Sequence, residues 1–325
     1  MNIDFYCTNC NLNTGSYRIW INDSIEYLSK ISNINVKLCK NFNEIREDSI
    51  IIFSKGDYRN ALDKRFLNRI KGAINVSASD LNLPLDFIIV GSLEEKLSLH
   101  NAYKNVFIIN LIEKIYENNI LKEHKESNEI NISYHGSYTH LHKLNSGFFE
   151  ALKRYKKENI KLKFSCLVDN LEKSKYILDN FLDAEDYRVF KYSVNESLNF
   201  IKKADIGVVP NVTKIKLNNI NTSVDLGLYD TDYILRFKNK SNPGRCFPFI
   251  QLGIPVITDL TPSNMPMFFD EKCGLISNCK NSWYFNIKKL LKPEYRNIIS
   301  NIAFKRFKKL YSFESYWNNL IKHLK

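Results

Sequence analysis

Short apolar runs alternate along this chain with longer stretches in which apolar residues recur every three or four positions. Ser49–Ser54 (SIIIFS) is the plainest run, four large apolar side chains between two serines. That is the pattern of a strand buried on both faces of a parallel sheet. Asn2–Tyr6, Ala73–Val76, Asp86–Val90 and Val106–Asn110 read the same way. Between them Arg18–Ser32, Arg59–Ile70 and Leu93–Leu99 carry helical spacing, while Cys7–Ser16 and Ser77–Pro84 read as loops. The second half repeats the alternation. Its strands are Ile130–Tyr134, Lys161–Leu167, Arg188–Tyr192, Ile206–Pro210 and Ile254–Thr258; its helices are Ser146–Lys157, Leu171–Phe181, Ser197–Ala204 and Arg245–Leu252.

Alternation of this length predicts the α/β class, with two doubly wound parallel sheets. A chain of 325 residues is comfortable for two cores. We expect a first domain over 1–112, a polar connection over 113–129 (EKIYENNILKEHKESNE) and a second domain over 130–310. The tail 311–325 is an amphipathic helix, with Phe313, Tyr316, Trp317, Leu320 and Leu324 on one side. Residues 211–232 are polar and long for a connection in a compact domain. They are either a loop that orders on a ligand or a variable surface insertion.

Composition narrows the class. The chain is 44% hydrophobic and 25% charged, a globular balance. No apolar run approaches the ~20 residues that span a bilayer, and the start MNIDFYCTNC does not read as a signal peptide. A cytoplasmic location is the expectation. The formal net charge of +12 favours anionic partners, among them nucleotides, nucleic acid and the inner membrane surface. The cations are scattered over helices such as Lys153–Lys157 and Lys305–Lys309, without the aromatic-lined stripe of a nucleic-acid binder. No nucleic acid is expected; a peripheral membrane contact is. Seven cysteines lack a framework spacing, so reduced thiols are the default. Cys7 and Cys10 form a CxxC with no second pair at a zinc-ribbon distance.

The richest chemistry lies in 233–259 (YILRFKNKSNPGRCFPFIQLGIPVITD). Arg236, Lys238 and Lys240 run into Ser241-Asn242-Pro243, a helix follows, and Gly253 precedes an apolar strand. Ser241 or Asn242 suits a helix cap, Pro243 its first turn, and Gly253 its stop. Free N–H groups at such an N-terminus, crowded by cations, suit a phosphate or diphosphate.

The order of these parts resembles the donor-binding segment of GT-B glycosyltransferases of the group-1-like bacterial branch. Ala204–Pro210 (ADIGVVP) looks like a strand of that family's C-terminal domain. Ser133–Ser137 (SYHGS) looks like the strand and glycine loop that open it, and Asp86–Ser92 with Asn105–Ile109 like the last strands of the N-terminal domain. The resemblance implies two Rossmann-like domains, with the tail helix crossing back onto the first. It also implies sugar transfer from a nucleoside-diphosphate sugar to a glycan or lipid-linked acceptor, without metal or other cofactor, in bacterial surface polysaccharide assembly such as capsule or lipopolysaccharide.

On this reading Lys240 and Arg245 stabilise the leaving diphosphate. Arg236, Lys238, Ser241, Asn242, Gly244, Gly136, Ser137 and His140 bind the donor, with His135 and His140 flanking the glycine loop. The acceptor falls to Gly15, Ser16, Tyr17 and Arg18 after the first strand and to Ser54 and Lys55 after the second apolar run. Asp80 is the candidate base, and His100 a weaker polar candidate. Many relatives carry a glutamate pair around the donor helix, where this chain has Lys238 or Lys240. That departure leaves two further readings: a GT-B scaffold without catalysis, and a nucleotide-sugar epimerase of the same fold.

Overall fold

The computed structural model describes residues 1–77, 80, 82–145, 147–211, 243–259, 261–277 and 279–325, excepting the side chains of 142, 143 and 145. The described residues divide into two compact units, Met1–Lys114 with Tyr311–Lys325, and Ile115–Leu310.

The first unit is built on β1 (Asn2–Tyr6), β2 (Asn35–Cys39), β3 (Ile50–Phe53), β4 (Lys71–Ile74), β5 (Phe87–Val90) and β6 (Val106–Ile108). They form one parallel sheet in the order β2-β1-β3-β4-β5-β6. Ile3 pairs with Ile50 and Phe5 with Ile52, so the apolar runs stack strand on strand. Every residue of β3, β4 and β5 is buried, as double coverage by helices and turns requires. Ile51, Phe53, Ala73, Ile88 and Val90 form the centre of this core.

Several elements depart from the expectation. β2 (NVKLC) was not anticipated. It is an edge strand with alternating exposure, so it lacks the continuous apolar run. The expected helix Arg18–Ser32 is a short helix Gly15–Tyr17, a π-helical turn Arg18–Asn22 and a helix Asp23–Leu28. The stretch Arg59–Ile70 is two 3-10 turns, Tyr58–Leu62 and Lys64–Phe66, reset at Asp63, whose carboxylate accepts the Arg65 N–H. β4 starts before Ala73 because Lys71, though charged, is buried. Its ammonium donates to the carbonyls of Phe66 (2.7 Å), Leu67 (3.3 Å) and Arg69 (3.2 Å).

The helix Phe313–Leu324 is capped by Ser312 and buries Phe313, Trp317, Leu320 and Ile321 within the first unit. The Trp317 ring meets Phe5 of β1 edge-on at 5.8 Å, and the Tyr316 hydroxyl donates to Asn110 at 2.7 Å.

The second unit carries β7 (Ile130–Gly136), β8 (Leu162–Val168), β9 (Tyr187–Lys191), β10 (Ile206–Val209), β11 (Val256–Thr258) and β12 (Leu275–Ile276). All are parallel, in the order β12-β11-β10-β7-β8-β9. Helices Phe148–Lys157, Leu171–Asp179 and Val194–Lys202 connect the first four strands. Of two longer helices, Lys280–Leu290 was not anticipated from the sequence, and Pro293–Leu310 was marked only by the basic helical stretch Lys305–Lys309. Gly207 of β10 lets the strand meet Phe249: a Cβ there would lie 2.6 Å from the ring.

Residues 115–129 are part of this unit. Lys122 donates its N–H to the Leu252 carbonyl and its ammonium to Asp205 at 2.9 Å. His124 is buried, with Nδ1 accepting from Arg296 Nε (3.2 Å); Nε2 therefore carries the proton donated to the Gly253 carbonyl (2.9 Å). No helix among the described residues is long and apolar enough to cross a membrane.

Candidate active site

In open parallel sheets ligands bind beyond the carboxyl ends of the strands, where the strand order reverses. That point lies between β7 and β10 in the second sheet and between β1 and β3 in the first.

In the second unit, β7 ends at Gly136, whose φ is +139°. A Cβ there would sit 2.9 Å from the Tyr134 hydroxyl and 3.1 Å from Cδ of Arg245, so both backbone conformation and space call for glycine. The Tyr134 hydroxyl donates to the Ser137 carbonyl at 2.8 Å, and burial pushes it up to about 12. From the end of β8, Asp169 accepts the Ser137 hydroxyl and the Tyr138 N–H, each at 2.8 Å. The turn is thereby fixed from both sides.

Arg245 ends the 3-10 turn Pro243–Arg245, and the helix Phe247–Gln251 follows. Its Nη2 donates to the Pro210 carbonyl (2.8 Å) and to Asn211 Oδ1 (2.7 Å), and Nη1 reaches the Tyr134 hydroxyl at 3.4 Å. The Asn211 N–H in turn donates to Asp259 at 2.6 Å. One guanidinium thus joins the ends of β7 and β10. His135 lies beneath this arrangement. It is buried, its Nε2 meets the Arg245 carbonyl at 2.9 Å, and its ring packs edge-on against Phe249. His140 follows within the 3-10 stretch Tyr138–Asn145, its N–H bonded to the Ser137 carbonyl. Gly244 is buried in the turn before Arg245. Arg236, Lys238, Lys240, Ser241 and Asn242 lie outside the described residues, as does most of 211–232.

A polar group behind β10 and β11 was missed by sequence reasoning. Thr258, Asp259, Thr261 and Asn264 are buried, and Asn264 Nδ2 donates to Thr258 Oγ1 and the Asp259 carbonyl, both at 3.3 Å. The available signal was a run of hydroxyl and amide side chains directly after a fully apolar strand.

In the first unit a cavity of about 370 Å³ opens at the ends of β1 and β3. It brings together Ser16, Tyr17, Ser54 and Lys55 from the expected acceptor set, with Thr8 and Asp57. Asp57 clasps the two strand ends. Its carboxylate accepts the Thr8 N–H (2.9 Å), the Thr8 hydroxyl (2.7 Å) and the Ser54 hydroxyl (2.6 Å). Burial pushes the Cys7 thiol up to about 11 and the Tyr17 phenol up to about 12. The Cys10 thiol donates to the Cys7 carbonyl.

Other candidates sit apart from this cavity. Gly15 opens the helix Gly15–Tyr17 and is not in the lining. Arg18 is buried and donates to the Leu12 carbonyl (2.7 Å) and to Glu113 (2.5 Å). Asp80 accepts from the Tyr58 hydroxyl at 2.7 Å and pairs with Arg59 at 3.2 Å. The exposed His100 caps a helix, with Nδ1 2.8 Å from the Leu97 carbonyl. The metal-type cluster found among the described residues, Asp183, Glu185 and Asp186, surrounds the Lys156 ammonium at 2.7, 3.2 and 2.8 Å.

No protein-family model matches the sequence, and no curated protein matches it by sequence. Solved structures do match in three dimensions. Anabaena HepE in complex with UDP and glucose superposes with a TM-score of 0.61 at 10% identity, covering 100% of this chain and 99% of that one. A Staphylococcus aureus TarM variant in complex with fondaparinux, α-GlcNAc-glycerol and UDP gives 0.65 at 14%, covering 86% of this chain. The pneumococcal O-GlcNAc transferase GtfA in complex with UDP and GlcNAc gives 0.59 at 10%, again covering 86%. The chain spans a little over half the length of the last two, 56% and 57%. The likeness establishes the GT-B fold.

Proposed function

We propose that the protein is a glycosyltransferase that moves a sugar from a nucleoside-diphosphate sugar to a glycan or lipid-linked acceptor, in bacterial surface polysaccharide assembly. The observation that carries this reading is the Gly136 turn at the reversal point of the second sheet, held by Asp169 on one side and beside Arg245 on the other. A backbone without Cβ at that point lets phosphate oxygens approach N–H groups closely.

Transfer requires stabilisation of the leaving diphosphate as its charge develops. Backbone N–H groups around Gly136, Ser137 and Gly244 would supply part of this, with Lys240, Lys238 and Arg236 as the cations and Ser241 and Asn242 as further donors. Arg245 acts as a positioning residue, because its guanidinium is engaged by Pro210, Asn211 and Tyr134. The acceptor would occupy the cavity of the first unit. Asp80 is not assigned as base there, since its carboxylate is bound to Tyr58 and Arg59. The scheme calls for no metal or other cofactor. UDP heads the list of nucleotides to test because each of the three neighbours was captured with it.

The lysine-for-glutamate departure at Lys238 or Lys240 favours a second reading, a GT-B protein that binds nucleotide without turnover. Incubation with UDP-, GDP- and dTDP-sugars, reading nucleotide release with and without an oligosaccharide acceptor, separates the two. Release that depends on acceptor supports the transferase. Binding without release from any donor supports the scaffold.

A further inference from the structure

The first unit's cavity holds one ammonium and one carboxylate among otherwise neutral groups. Its lining includes a single carboxylate, Asp57, which already accepts three hydrogen bonds from Thr8 and Ser54. What remains to meet a ligand is the ammonium of Lys55 and the neutral polar side chains of Asn9, Thr14, Ser16 and Tyr17, each able to donate or accept. Lys55 is exposed and forms no hydrogen bond or ion pair among the described residues. Its field also falls on Glu95, a buried carboxylate that takes its hydrogen bonds from the Gly91 N–H and the Ser92 hydroxyl. Space next to Lys55 is open, since a Cβ added at Gly56 would meet nothing within 4 Å.

A neutral sugar hydroxyl, both donor and acceptor, can be met by the neutral groups of the lining and needs no cation. A pocket whose one carboxylate is engaged and whose ammonium has no hydrogen-bond or ion-pair partner among the described residues carries an unmatched positive charge, which suits an anionic group. Carboxylate and phosphate are such groups, and an ammonium binds either through charge-assisted hydrogen bonds.

We propose that the acceptor of this protein is anionic, a sugar unit bearing a carboxylate or phosphate that Lys55 holds in the β1–β3 cavity. The proposal rests on the reading of that cavity as the acceptor site. The volume of about 370 Å³ lies at the small end of ligand pockets and suits one ring with its substituent.

Binding of methyl β-glucuronide, glucose 6-phosphate and neutral methyl β-glucoside to the full chain at low ionic strength tests this. The titrations are run on the natural protein, Lys55→Met and Lys55→Arg, with thermal melts confirming that each variant folds. At least one anionic sugar should bind roughly tenfold more tightly than the glucoside, and its identity tells carboxylate from phosphate. Lys55→Met should erase the preference and Lys55→Arg should keep it. Equal binding of charged and neutral sugars, or a preference that survives in Lys55→Met, overturns the proposal. Failure of all three sugars to bind while UDP binds also overturns it, yet leaves the donor reading intact. Failure of the wider reading appears separately, as failure to bind any nucleotide.

Discussion

Arg245 and Asn211 meet at 2.7 Å, guanidinium Nη2 to amide Oδ1, across the junction where the second sheet reverses its strand order. The contact ties the 3-10 turn before a helix to the second residue after β10, and the Asn211 N–H extends the tie to Asp259. Such a bracket keeps backbone donors in place before a ligand arrives, which lowers the ordering cost of binding.

Replacing Arg245 should loosen both fold and site. Lysine cannot span the Pro210 carbonyl, Asn211 and the Tyr134 hydroxyl with one planar group. Arg245→Lys is expected to cost about 2 kcal/mol in chemical denaturation and to weaken nucleotide binding in parallel. Unchanged stability would show that the bracket carries no energy.

Asp23 gives a signature in pH. The carboxyl is buried, and desolvation raises it to about 6 despite Asn22, Lys114 and Arg18. A carboxyl raised in the folded state is most stabilising, relative to the unfolded chain, below its ordinary value, and that advantage is lost as pH climbs through about 6. Asp23→Asn should therefore exceed the natural protein in stability at pH 7 by up to ~3 kcal/mol. The difference should shrink as pH falls towards 4. A difference constant with pH would contradict the assignment.

Trp317 anchors the C-terminal helix to the first unit with no exposed surface. Trp317→Ala should cost about 3–5 kcal/mol, read as a lower denaturation midpoint. A cost below about 1 kcal/mol would mean that the helix docks without this ring.

The thiols should separate by reactivity. Burial raises Cys7, Cys39, Cys166, Cys246 and Cys273, whereas the exposed Cys279 is lowered by bonds to Ser282 and Asn281. Maleimide labelling of the folded protein at pH 7, read by mass spectrometry, should modify Cys279 ahead of those five.

What could be read in the sequence follows from what each residue's neighbours are. β3 and β5 were legible because strands buried on both faces must be apolar throughout. β2 was not, because an edge strand alternates, and neither was the start of β4, because Lys71 is satisfied by three carbonyls that only the folded chain supplies. The positions of Ser54, Lys55, Gly136 and Ser137 at or just past strand ends were legible because the apolar runs before them fix where the strands stop. Asp57 and Asp169 were not, since their partners Thr8 and Ser137 lie 49 and 32 residues away. Arg18 illustrates the converse: it followed a glycine-containing loop, yet the half-buried carboxylate of Glu113 claims its charge.

The central claim is that the Gly136 turn and its Arg245 bracket bind a nucleoside diphosphate. Calorimetric titration of the full chain with UDP, GDP, CMP, ADP and dTDP, repeated on Gly136→Ala, tests it most directly. One of the four diphosphates should bind saturably and more tightly than the monophosphate CMP, and Gly136→Ala should weaken it roughly tenfold or more, because the added Cβ meets Tyr134 and Arg245 and φ is positive. Failure of all four diphosphates to bind, or binding unaltered in a folded Gly136→Ala variant, would contradict the account.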